Sequence, residues 1–204
     1  MKLWILKSGS MENIYDEFLT EDKAIQTAVF ELKNYSMDTY NHSMRAAILA
    51  MYFANALSLS YVPFHNLVKG ALVHDIGKMK VPSEILDYQG NFNAEQRSKM
   101  EQHPLYGIEY FKEKELNISS DIQDIIIQHH EYCDGSGYPF GLHKRDISDC
   151  SRIITICDIF EAYITERVYH PRRSYEEGIN YLQYLSSKGK IDAEYTKLFI
   201  NMLF

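Results

Sequence analysis

The chain has 204 residues, enough for one domain with a substantial core and too few for two ordinary ones. Its 46% apolar and 24% charged residues have the balance of a globular protein, and the net charge of −7 argues against a binder of polymeric nucleic acid, which needs a basic stripe. A small anionic ligand stays open, because metal ions can add positive charge that the totals do not count. No stretch reaches the ~20 uncharged apolar residues of a membrane span. The opening MKLWILKSGS lacks a signal-peptide pattern, and Cys133, Cys150 and Cys157 have no CxxC spacing. The expectation is a cytoplasmic protein with reduced thiols.

Residues 1–19 read as an N-terminal extension in which LWIL suggests a short strand, and 20–204 as the domain proper. Thr20 caps a helix over Glu21–Lys33, with Ala24, Ala28, Val29 and Leu32 on one stripe. Asp38–Leu57 is the clearest helix: Ala46, Ala47, Ala50, Met51, Ala54 and Leu57 recur at three- and four-residue steps. A helix over Phe64–His74 is stopped by Gly77 and Pro82. NAEQ at Asn93 is a capping box, and Pro104 can open the next helix, LYGIEYFKE. Asp121–His130 is striped and runs into EYCDGSGYPFGL, a loop dense in turn formers. Ser151–Glu166, Tyr175–Ser186 and Asp192–Leu203 complete an all-α helical bundle without a series of alternating strands.

Histidines and acids cluster at the helix ends. Imidazole nitrogens and carboxylate oxygens suit iron, manganese, zinc or nickel. Adjacent residues inside a helix diverge by about 100°. At a helix end both can converge, and that is where His74-Asp75 and His129-His130 stand. His103 precedes Pro104 at a helix entrance, Asp38 and His42 are one turn apart, and Asp158 lies in a later helix. Singly, each has an ordinary reading as a cap or a surface residue. Their order along the chain, with a glycine loop before Asp158, is what raises the metal reading.

HDIGK at 74–78, HP at 103–104, HH at 129–130, DGSGYP at 134–139 and DIFEA at 158–162 together resemble an HD-GYP domain, from about Asp38 to Arg173. This branch of the HD phosphohydrolase superfamily degrades bacterial cyclic dinucleotides, chiefly cyclic di-GMP. The resemblance implies an HD-domain bundle with the GYP loop at a centre of two or three divalent ions, iron or manganese. It implies His42, His74, Asp75 and Asp158 as the basic metal set, with Asp75 bridging two ions and His103, His129 and His130 holding the second. Two bridged ions activate a water near neutral pH and offset charge on the phosphoryl oxygens. Lys78 adds a point charge to the phosphate or protonates a leaving oxygen. Tyr138 either stacks on a guanine or packs at the rim, and the DGSGYP loop can serve as a docking surface for a signalling protein.

Two departures from the family stand out. Asp38 replaces the Glu that supports a third ion in some members, and it is one methylene shorter. After Asp158, Arg167 keeps its place as a phosphate contact, Val168 replaces a proline, and His170 stands where Arg or Lys is usual, with Arg172 and Arg173 as alternative cations. A histidine is mostly neutral at pH 7. No receiver or other sensory domain is recognisable ahead of the catalytic part. The leading expectation is therefore a cyclic di-GMP phosphodiesterase yielding linear dinucleotide, GMP or both. Its rivals are a non-catalytic cyclic di-GMP or partner-binding module, and an HD phosphohydrolase acting on another nucleotide.

Overall fold

The computed structural model describes Phe18 and residues 22–86, 88, 90–165 and 173–204. The extension at 1–19, with its suggested strand, falls outside them except for Phe18. Among the described residues the architecture is all-helical; a lone bridge between Asp134 and His143 is its nearest approach to a sheet. No helix there is long and apolar enough to cross a membrane.

Helix α1 spans Lys23–Tyr35 and buries Ala24, Ile25, Ala28, Val29 and Leu32. Its cap is Asp22 rather than Thr20: the Asp22 carboxylate accepts from the Ile25 N–H and from Lys69 on the neighbouring helix. Helix α2, Met37–Ala56, is capped by Ser36. It buries Met44, Ile48, Leu49 and Phe53 beside the alanine row, so more than one face is covered and the helix runs through the middle of the bundle. Helix α3 spans Tyr61–Val73 and starts before Phe64, because Pro63 falls in the first turn, where N–H groups have no intrahelical partner anyway.

A 3-10 turn over Ile76–Lys80 follows, then α4 (Ser83–Leu86) and α5 (Ala94–Met100), which opens on the expected Asn93/Gln96 capping box. Neither the turn nor α4 is legible as an element from periodicity. Helices α6 (His103–Glu113) and α7 (Ser120–Gln128) precede the glycine loop, and a short 3-10 turn at Lys144–Asp146 leads out of it. Helix α8 (Asp149–Ile164) packs on α2, α3 and α7, and then on α9 (Tyr175–Ser187) and α10 (Ala193–Met202). Phe53, Phe160 and Phe199 join α2, α8 and α10 edge to face, each Phe199 pairing at 5.2 Å between ring centroids.

One glycine sets how α6 meets the metal-type site. A Cβ on Gly77 would lie 1.9 Å from the His103 carbonyl oxygen and 2.4 Å from the Gly107 nitrogen. Only a residue without a side chain lets the HDIGK turn press against the start of α6.

Candidate metal centre

His74 closes α3 and Asp75 leaves it with φ −96° and ψ 7°, so the helix unwinds between them and both side chains turn to the same side. His129 closes α7 in the same way, with His130 just beyond. His103 is the first residue of α6, His42 lies in the second turn of α2, and Asp158 projects from the middle of α8. Five helices thus deliver seven side chains to one place.

They form two groups. His42, His74 and Asp158 bring one ligand atom each within 4.8 Å of one another, and so do Asp75, His103, His129 and His130. Asp75 stands between the groups. Its Oδ2 lies 3.6 Å from His42 Nε2 and 3.5 Å from His74 Nε2, while its Oδ1 lies 3.3 Å from His103 Nε2 and 3.8 Å from His129 Nε2. His42, His74, Asp75, His103, His129 and Asp158 are buried, and His130 is half-buried at the mouth.

The remaining ring nitrogens fix the orientation. Nδ1 of His74 faces the Ala71 carbonyl at 2.8 Å, that of His103 the Met100 carbonyl at 2.8 Å, and that of His129 the Ile126 carbonyl at 2.9 Å. A carbonyl can only accept, so each Nδ1 carries the proton and each Nε2 presents a lone pair to the cluster. The Nε2 atoms of His103 and His129 then face each other at 3.1 Å, and His74 Nε2 and Asp75 Oδ1 are buried without a hydrogen-bond partner. Lone pairs converging in a water-poor pocket repel one another, and one cation per group removes the conflict. The donor set, nitrogens with carboxylate oxygens, fits a divalent transition metal.

Charge on the groups is arranged accordingly. Burial pushes the His74 imidazole down to about 4, and it lowers His103 and His130 too, so these rings are neutral at pH 7. Burial would raise the Asp75 carboxyl, but Lys78, paired with its Oδ2, together with His74, His103 and His129, outweighs that and holds it well below the ordinary range. For His42 burial pulls downward, and contacts with Asp158 (2.9 Å) and Glu161 overcome it, raising the imidazole to about 9.

The other residues singled out in the sequence are distributed unevenly. Lys78 reaches the site. Tyr138 lies at its rim, its ring 4.7 Å from that of His130 and 6.3 Å from that of His103. Asp38 belongs to neither group: it is exposed in the first turn of α2, where an acid favours the helix dipole, and we assign it no ligand role. Arg167, His170 and Arg172 fall outside the described residues. The Arg173 guanidinium sits 4.2 Å from the Tyr163 ring centroid.

Two carboxylates were not singled out by sequence reasoning. Glu161, fully buried on α8, accepts from His42 Nδ1, Arg45 and Thr165. Glu131, in the HHE run, is buried and accepts from the backbone N–H groups of Phe140 (2.7 Å) and Leu142 (2.9 Å), tying the glycine loop to the end of α7. The burial-prone motifs DIFEA and HHE held the only signal: an acid among apolar or ligand residues.

A helical bundle that gathers histidines and aspartates from five helices into two adjoining groups defines a protein with a buried centre able to hold metal. The chain belongs to the HD domain family, whose model matches residues 27–195. It is 31% identical over 189 residues to a cyclic di-GMP phosphodiesterase of Thermotoga maritima, covering 92% of this chain and 51% of that protein. It is 34% identical over 159 residues to a 3'3'-cGAMP-specific phosphodiesterase of Vibrio cholerae, covering 78% of this chain and 36% of that protein. The chain thus spans about half the length of these curated relatives, or less. Among solved structures it resembles Bd1817, an HDG"Y"P protein from Bdellovibrio bacteriovorus, with TM-score 0.67, 19% identity and coverage of 95% of this chain and 68% of that one. It also resembles the HD domain of the L. monocytogenes phosphodiesterase PgpH in complex with cyclic-di-AMP, with TM-score 0.64, 20% identity and coverage of 87% and 93%. At those identities the likeness bears on the fold alone.

Proposed function

We propose that residues 20–204 form the catalytic domain of a metal-dependent phosphodiesterase that opens a cyclic dinucleotide, cyclic di-GMP first among them, to the linear dinucleotide, GMP or both. The observation that carries this reading is the division of Asp75, with one oxygen toward each group of donors. His42, His74 and Asp158 would hold one divalent ion, His103, His129 and His130 the other, and Asp75 both, with iron or manganese as the metal. Bound there, such a pair supplies an acidified water and offsets the negative charge that builds on a phosphoryl group in transfer.

The protein's own residues do the rest. The neutral, buried imidazoles of His74, His103 and His130 keep their lone pairs free of competing protons at pH 7, whereas His42 gives up a proton when an ion binds. Lys78, paired with Asp75, carries a positive charge at the edge of the pocket, suited to a phosphate oxygen or to a leaving oxygen. Tyr138 offers a flat face beside His130, against which a base can stack, and Arg167 and His170 are the further candidates for phosphate contact. Phe140, exposed immediately after DGSGYP, supports the reading of that loop as a place for a signalling partner.

The relatives include enzymes named for cyclic di-GMP and for 3'3'-cGAMP, so a choice between bases is the second reading. Protein purified without oxygen and assayed against cyclic di-GMP, 3'3'-cGAMP and cyclic di-AMP in competition tests both. Hydrolysis of cyclic di-GMP that stops with a chelator and returns with manganese or iron is the expected result. Tight binding without turnover under any metal would favour a receptor instead.

A further inference from the structure

The ligand histidines are not backed alike. The outward nitrogens of His74, His103 and His129 go to neutral main-chain carbonyls, whereas Nδ1 of His42 goes to the carboxylate of Glu161. Glu161 is fully buried on α8, and its other oxygen is held by Arg45 Nε and by the Thr165 hydroxyl at 2.7 Å. That carboxylate therefore cannot turn away from His42. An anionic acceptor on one imidazole nitrogen makes the other a stronger donor than a carbonyl does, and it adds negative charge behind the ion. Lys78 is paired with Asp75 Oδ2, the oxygen that faces His42 and His74, so it works against this bias and the asymmetry rests on the charge of Glu161.

We propose that Glu161 is a positioning residue that makes the His42–His74–Asp158 position the tighter of two inequivalent ion sites. The inference rests on the two-ion reading above, and it concerns which ion is held harder. The full chain, stripped of metal and titrated with Mn2+ in the absence of oxygen, reads it directly. Calorimetry gives the two affinities, and His42→Ala and His130→Ala assign the tight and the weak step.

Glu161→Gln keeps the shape and an oxygen that can accept from His42 but removes the charge. It is expected to weaken the tight step about 10–100-fold and to leave the other within about twofold. Arg45→Met leaves Glu161 on His42 but removes a competing cation, and it is expected to tighten the same step. The two variants thus move one affinity in opposite directions, which a loss of packing would not do. Should Glu161→Gln fail to fold, Arg45→Met carries the test, and an unchanged tight step there overturns the proposal. So does Glu161→Gln if it weakens both steps alike or neither. A wild type that binds a single ion, lost with His42→Ala, would sink the two-ion reading, and Glu161's role would then stand only if Glu161→Gln weakens that ion and Arg45→Met tightens it. A single ion lost with His130→Ala, or no ion at all, would sink both.

Discussion

Asp75 is placed by a local event, the unwinding of α3 after His74, and its importance is that a carboxylate has two oxygens where an imidazole has one inward nitrogen. Asp75→Asn keeps the volume and removes the charge that both groups share. It is expected to lose most of the bound metal and at least about 10²-fold of the turnover. Full metal occupancy in that variant, measured by elemental analysis, would sink the bridging assignment. Lys78→Ala should behave differently. Metal content should stay, because lysine is a counter-charge and not a donor to the ions, while kcat/KM falls about 10- to 100-fold with the loss of a charge-assisted contact worth roughly 1.5–3 kcal/mol. The convergence of the HD and HH doublets was legible in the sequence because each stands at a helix end, before Gly77 in one case and before the glycine loop in the other. The pairing of Glu161 with Arg45 and His42 was not, since it joins α2 to α8 across more than a hundred residues and leaves no periodic trace.

The helices themselves followed from their stripes and caps, as at Asn93 and Gln96, and most of the differences lie at the ends. The 3-10 turn after Asp75 is of another kind. It exists because Gly77 must lie against the backbone of α6, a tertiary contact that no local pattern encodes. Gly77→Ala places a methyl against main-chain atoms that have no rotamer to yield, and it is expected to cost about 1–3 kcal/mol of stability. The shift also moves His103, so ion uptake at the Asp75–His103–His129–His130 group should fall as well. Denaturant midpoints together with metal content check the two effects. A variant as stable as wild type with both ions bound would show that α6 can back away freely. Glu131 works at the other end of α7. Glu131→Ala should release two backbone hydrogen bonds of the glycine loop, each worth roughly 1.5–3 kcal/mol when the acceptor is charged, and make the loop the first segment to exchange its amide hydrogens.

At the scale of the molecule, the candidate ions would join five helices, so loading should stabilise the whole bundle. At a free-ion concentration about a hundred times the dissociation constant the gain is about 2.7 kcal/mol per site, and a chelator should lower the melting temperature correspondingly. Acid should act beside the glycine loop as well. Asp192 is buried at the start of α10 beside Arg152, Lys144 and the Tyr195 N–H. Burial would raise its carboxyl, but these partners outweigh it and leave it lowered. A depressed carboxyl adds stability that is fully present above the unfolded value near 4 and is lost as pH falls through the folded value. Asp192→Asn should therefore cost about 1–3 kcal/mol at pH 7 and flatten the loss of stability below about pH 4, read from melting curves across pH. The order of the donors along the chain carries one more consequence. During synthesis the residues from Asp75 to His130 emerge together, whereas His42 and His74 must wait for Asp158. A growing polypeptide can thus complete the group that opens at His130 while the one backed by Glu161 still lacks its aspartate, so any filling on the ribosome would run opposite to the proposed ranking of affinities.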